Sequence, residues 1–261
     1  MTWTAPVCLM ISSRIAATLC RNLVTCSERM SPKVLHIVDG ESTGGTLRVS
    51  GLAKGKDTLV WKDALYQGPV PAGLSLKKLS QLRSRFWTEG KRADAFSKRD
   101  AQLLAWRNYD EIVLWFGSTS LCQLSLAQIL TWFGQQHLDG RRISLVSTWG
   151  GMLPPERLLS PFKARTPITT AQLRLANRFW NAFTSSSPLA LQNLLKLNLR
   201  LFPRFRDTII ELLQEYPSRC DGLSDLERKL LLEIGSMGFG NCVLCGLLCK
   251  SAELGWRWSV V

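Results

Sequence analysis

The sequence predicts an α/β fold: a small parallel, Rossmann-like sheet with flanking helices, followed by an all-α C-terminal domain. Three observations carry this. Short apolar runs rich in β-branched residues recur at residues 34–38, 58–61, 112–116 and 143–147, and such runs suit strands covered on both faces. Segments with helical spacing lie between them, and strands alternating with helices imply a parallel sheet with right-handed crossovers. After Trp149-Gly150-Gly151 the strand signal stops, Pro154, Pro155 and Pro161 mark a linker, and the remainder reads as helix. The implied plan is an α/β domain over residues 30–152, a helical domain over 163–234, an extension (1–29) outside the fold and an atypical tail (235–261).

The first strand, Val34-Leu35-His36-Ile37-Val38, leads into Asp39-Gly40-Glu41-Ser42-Thr43-Gly44-Gly45, read as a glycine-rich turn before a short helix near residues 46–50. The second strand is bounded by Gly55-Lys56-Asp57 and by a turn-rich stretch from Asp63 to Gly73. Ser75 suits the cap of a helix reaching about residue 89, with Leu76, Leu79, Leu82 and Phe86 on one face. A further helix spans 93–107. The helix after the third strand, 120–133, directs Leu124, Ala127, Leu130 and Phe133 inward, and the Asp139-Gly140 turn precedes the fourth strand. In the C-terminal part, Thr169 or Thr170 caps a helix ending at 183, with Leu173, Ala176 and Trp180 on one side. Helices over 189–197 and 203–216 follow. Ser224 and Glu227 then form a Ser-x-x-Glu capping box for a helix over 225–234. Trp61, Trp115, Trp132 and Trp180 fall on apolar faces and read as core.

A chain of 261 residues buries a sizeable core, and 46% hydrophobic with 20% charged residues is a globular composition. No stretch approaches the ~18 uninterrupted apolar residues of a membrane span, so no membrane partner is expected. Lys and Arg outnumber Asp and Glu by 33 to 20, a net charge of +13. That excess favours anionic partners, nucleic acid among them, although the basic residues are dispersed and equally suit a plain basic surface. Seven of the eight Cys lie towards the ends, with Cys122 alone in the middle. That is not the pattern of a disulfide framework, and a reducing cytoplasm is the simpler expectation. Residues 1–29 carry Arg14, Arg21 and Arg29 with no acid before Glu28, a composition like a transit peptide. An over-extended start, with Met30 as the true first residue, is the simpler reading.

The order of motifs resembles a bacterial family catalogued as domain of unknown function 1835, followed by its usual helical partner domain. The resemblance rests on Leu35-His36-Ile37-Val38-Asp39-Gly40-Glu41-Ser42-Thr43 and on the run from Val60-Trp61-Lys62-Asp63 to Gly68-Pro69-Val70-Pro71. It continues in Trp106-Arg107-Asn108-Tyr109-Asp110-Glu111-Ile112, Pro167-Ile168-Thr169-Thr170-Ala171-Gln172-Leu173, and Tyr216-Pro217-Ser218 with Asp221-Gly222-Leu223-Ser224. It implies the fold and domain plan but no activity. This chain departs from the family at two places. Where relatives often carry an acid, a His and an acid after the third strand, it reads Gly117-Ser118-Thr119, and its tail from Gly235 does not look like the family's ending.

The best place for a ligand is the turn after the first strand. Gly40, Glu41, Ser42 and Thr43 offer backbone N–H groups, hydroxyls and a carboxylate at one point, and amides at a helix N-terminus bind phosphate or carboxylate. In a parallel sheet the loop after the second strand emerges at the same edge, so Asp63, Tyr66 and Gln67 are expected beside Ser118 and Thr119. A rigid structural turn is the competing reading of both loops. The loop lacks the G-x-G-x-x-G spacing and the Walker lysine of the common nucleotide motifs. Gly40-Glu41-Ser42-Thr43-Gly44 also matches the nucleophile elbow G-x-S-x-G, but that chemistry needs a histidine base. The chain has only His36, inside the strand, and His137, after a helix. A decayed phosphoryl- or ester-transfer enzyme and a nucleic-acid binder using the basic helical half are the other classes in play. Cys242-x-x-Cys245-x-x-x-Cys249 has metal-like spacing, yet its apolar neighbours and missing fourth ligand argue for buried thiols and no metal.

Overall fold

The structure, a computed structural model, describes residues 32–88, 93–147 and 153–237. Its sheet is built from β1 (Val34–Val38), β2 (Thr58–Val60), β3 (Glu111–Phe116), β4 (Arg142–Ser147) and β5 (Thr166–Pro167), in the order β2-β1-β3-β4-β5. The four strands expected from the sequence are mutually parallel. The fifth, antiparallel to β4, is a correction. It lies at the start of the stretch read as the all-helical domain, is only two residues long, and ends in a proline that an edge position tolerates. Arg165, just ahead of it, fixes this return. Its guanidinium forks onto the buried Glu111 carboxylate at 2.9 and 2.8 Å, and the Ser144 hydroxyl donates to the same carboxylate at 2.6 Å. These bonds, Arg165 first, hold the Glu111 carboxyl below the usual range.

Alternation along the strands divides the apolar residues between two faces. Leu35, Ile37, Leu59, Ile112, Leu114, Phe116 and Ile143 line one face. It is covered by α2 (Leu76–Thr88), α3 (Ala93–Leu104) and α4 (Ser120–Gly134), where the second helix meets the core through Leu76 and the third through Leu103. Val38, Val113, Trp115 and Val146 line the other, under α1 (Glu41–Val49) and α5 (Leu159–Lys163), through Leu47 and Phe162. The chain moves outward from β1 to β2 and then back past β1 to β3. Right-handed crossovers therefore place α1 and the later helices on opposite faces.

α1 begins at Glu41, so the glycine-rich stretch is mostly helix rather than turn. Gly44 is buried there, with room for a Cβ only at 3.4 Å from the Val38 and Val60 side chains. α4 is buried nearly all round, its Gln123, Ser125, Gln128 and Thr131 included, because it is covered twice. One side meets the sheet and the other meets α6 (Thr170–Phe183), α7 (Leu189–Leu194) and α8 (Pro203–Gln214). Leu175, Phe179, Phe205 and Ile209 belong to the same contiguous core as Leu35 and Ile37. The boundary between 152 and 163 is thus a change of secondary structure, not a break in the core. The expected caps are present: Thr169 and Gln172 form a capping box on α6, and Ser224 and Glu227 form one on α9 (Asp225–Met237). No helix among the described residues is long and apolar enough to cross a membrane.

Candidate functional site

The chain leaves β1 towards one side of the sheet and leaves β3 towards the other, so their carboxyl ends flank a topological switch point, where open α/β sheets hold ligands. Asp39 sits there. Its backbone N–H donates to the Trp115 carbonyl at 3.1 Å, extending the β1–β3 pairing by one residue. Its carboxylate accepts from the Gly117 N–H at 2.9 Å and the Cys122 thiol at 3.2 Å on one oxygen, and from the Thr43 hydroxyl at 2.8 Å on the other. All three donors are neutral. The Cys122 thiol is pushed up to about 11, by burial first, with the Asp39 charge acting in the same direction. It therefore stays protonated and donates.

Two helices start at this point. Gly40 caps α1 without a side-chain bond, so the amides of its first turn have no side-chain acceptor at the N-cap. Thr119 caps α4, its hydroxyl oxygen accepting the Cys122 N–H at 3.4 Å. The Gln123 side-chain amide donates to the Gly117 carbonyl at 2.6 Å and pins the loop from below. The structure thus brings Gly40, Glu41, Ser42 and Thr43 together with Ser118 and Thr119, on the two sides of Asp39. Glu41 and Ser42 are exposed, whereas the Thr43 hydroxyl is committed to Asp39.

Asp63 and Gln67 are placed differently from the expectation. The Asp63 carboxylate is buried and turned onto Arg83, which reaches it through Nη2 at 2.7 Å and Nε at 3.0 Å, while the Trp87 indole N–H adds a bond at 3.0 Å. Arg83 also donates to the Ala64 carbonyl at 2.9 Å and to the Gln67 carbonyl. Asp63 and the Gln67 backbone therefore fasten the loop after β2 to α2. Gly68 completes the clasp: its φ is +73°, and a Cβ there would meet the Phe86 ring at 2.5 Å. Arg83 is the residue that reading the sequence missed. Its signal was the spacing Leu79, Ser80, Arg83, Ser84, which are the buried positions of α2, while Phe86 is 40% exposed.

Neither histidine serves Ser42. His36 is buried between Trp115 and Phe162, and its Nδ1 accepts the Trp115 indole N–H at 3.0 Å. Burial lowers its pKa to about 4, so it is a neutral core residue. His137 is exposed beyond the far end of α4, beside Asp139. That 15-residue helix separates it from the carboxyl edge by about 22 Å. The nucleophile-elbow reading fails on this geometry. Among the described residues no group of three His, Cys, Asp or Glu suits a metal ion. The Cys242, Cys245 and Cys249 spacing lies outside the described residues, as does the extension 1–29 and most of the tail. No family model, curated protein or solved structure matches the chain.

Proposed function

We propose that this chain is a cytoplasmic binding module for a small anionic or nucleotide-like ligand at the carboxyl edge of its sheet, and a member of the family its motifs resemble. The supporting observation is the convergence of the α1 and α4 N-termini on the β1–β3 switch point, with α1 lacking a side-chain cap. In this reading the first-turn amides of α1 and the Ser42 hydroxyl take the anion. Asp39 and Glu41 oppose a bare phosphate but suit a ligand that also carries hydroxyls, as a ribose does. A carboxylate has about four lone-pair sites, and neutral donors already hold three at Asp39, so its orientation is fixed before a ligand arrives. Ser118 and Thr119 line the opposite side.

The test is a thermal-shift screen of the full chain against nucleotides, sugar phosphates and inorganic phosphate, with the Ser42→Ala/Thr43→Ala double variant alongside. A ligand at 100 times its Kd adds about 2.7 kcal/mol, a rise of roughly 5–10 °C for a chain of this size. A rise in the wild type that disappears in the folded double variant supports the reading. No rise with any of these compounds sinks it.

A further inference from the structure

A second concavity lies behind the first turn of α4, between that helix, the loop after β2 and the C-terminal helices. It encloses about 190 Å³, more than the 150 Å³ cavity that admits benzene. Leu121, Phe183 and Leu191 give it apolar walls, and Tyr66 and Tyr216 add aromatic ones. Among the described residues its only charged lining groups are Glu211, on α8, and Glu215, at the C-cap of that helix four positions on, both exposed. The Ser120 hydroxyl donates to Glu211 and holds that carboxylate against the start of α4.

The charge balance of this pocket is the reverse of the chain's. The whole sequence carries +13, yet among the described residues no Lys or Arg lines the pocket and no ion pair engages Glu211 or Glu215. Like charges four apart on a helix repel. Burial, reinforced by the nearby Asp225 and Glu227, also raises the Glu215 carboxyl above its ordinary value. A bound cation would relieve both effects, and an aromatic wall adds attraction for an ammonium group. The apolar walls exclude a bare metal ion, which would gain only two carboxylates in place of its hydration shell.

We infer that this pocket binds a small organic cation, a protonated primary amine on a ring-sized apolar body, with the ring against Leu121, Phe183 and Leu191 and the ammonium group between Glu211 and Glu215. The inference does not rest on the anion site, since the two take ligands of opposite charge. Isothermal titration calorimetry on the full chain with 2-phenylethylamine and 3-phenylpropionate compares two ligands of nearly equal shape and opposite charge. The expected result is binding of the amine at least tenfold tighter than the carboxylate. Glu211→Gln/Glu215→Gln, checked for unchanged fold by circular dichroism, is expected to weaken the amine at least tenfold, and Leu121→Trp, which fills the ring space, to abolish it. Saturating inorganic phosphate is expected to leave amine binding unchanged. No amine binding, equal affinity for the carboxylate, full affinity in the double Gln variant, or competition by phosphate each overturns the assignment.

Discussion

Asp39 and Asp63 both stand just past the end of a strand, at the same edge of the sheet, one in a two-residue link to α1 and the other in a long loop to α2. Their surroundings give them opposite roles. Asp63 is closed in by a guanidinium fork and an indole, with side-chain exposure of 1% on both it and Arg83. Asp39 is half-buried and, among the described residues, its carboxylate is held by an amide, a hydroxyl and a thiol. A buried ion pair neutralises its carboxylate and spends it on the frame. Neutral donors fix a carboxylate in place and leave its charge facing the crevice. The type of donor, more than position along the chain, separates a scaffold acid from a candidate site acid.

The sharpest way to break this contrast is to remove each partner set in turn. Arg83→Met leaves the Asp63 carboxylate buried and unpaired, a situation that costs about 3–5 kcal/mol. Asp39→Asn keeps the shape but sets an amide N–H against existing donors, at about 1–2 kcal/mol. Urea unfolding of both variants checks the order. A loss below about 1 kcal/mol in Arg83→Met would mean that water reaches Asp63 and that the two acids are alike after all.

His36 extends the comparison to a group held by a neutral donor and shut away from solvent. With its folded pKa near 4 and an unfolded value near 6.5, the unfolded chain takes up the proton first as the pH falls. The stability contributed by the neutral ring is complete above about pH 6.5 and is lost progressively down to about pH 4, about 3 kcal/mol in total. His36→Gln retains an acceptor for the Trp115 indole but does not titrate. Unfolding free energies of wild type and variant are expected to diverge across that window, and parallel curves would remove His36 from the account.

Much of the frame was legible because burial on both faces leaves short runs rich in Val and Ile, bounded by turn residues; Val34–Val38 is the example. The Ser224 box and a cap at Thr169 or Thr170 were legible because capping is local chemistry, though the Gln172 half of the second box was not read. What was missed is set by distant partners. Arg83 meets an acid 20 positions earlier, so its inward direction left no local trace beyond two small neighbours. β5 is too short for any periodicity and exists because Arg165 finds Glu111 across the sheet. At the candidate site, the sequence located the edge but not the donors that orient Asp39, because Gly117 and Cys122 come from another strand and helix.

The start of α1 gives the smallest effect and the clearest sign test. Ser42, Thr43, Gly44 and Gly45 are poor helix formers, which is why they read as a turn, and packing of Gly44 against Val38 and Val60 overrides that preference. The next glycine has no such constraint: a Cβ on Gly45 meets only the Arg48 side chain, at 3.9 Å, and its φ is not positive. Gly45→Ala therefore fits a helix interior, where alanine exceeds glycine by about 0.5–1 kcal/mol. A turn using left-handed glycine backbone would lose stability instead, so the sign of the change in thermal midpoint decides between the two. A rise places the N-terminus of α1 at Gly40, beside Asp39, where the contrast with Asp63 requires it. A fall would return the whole stretch to a turn and take the uncapped amides away from the crevice.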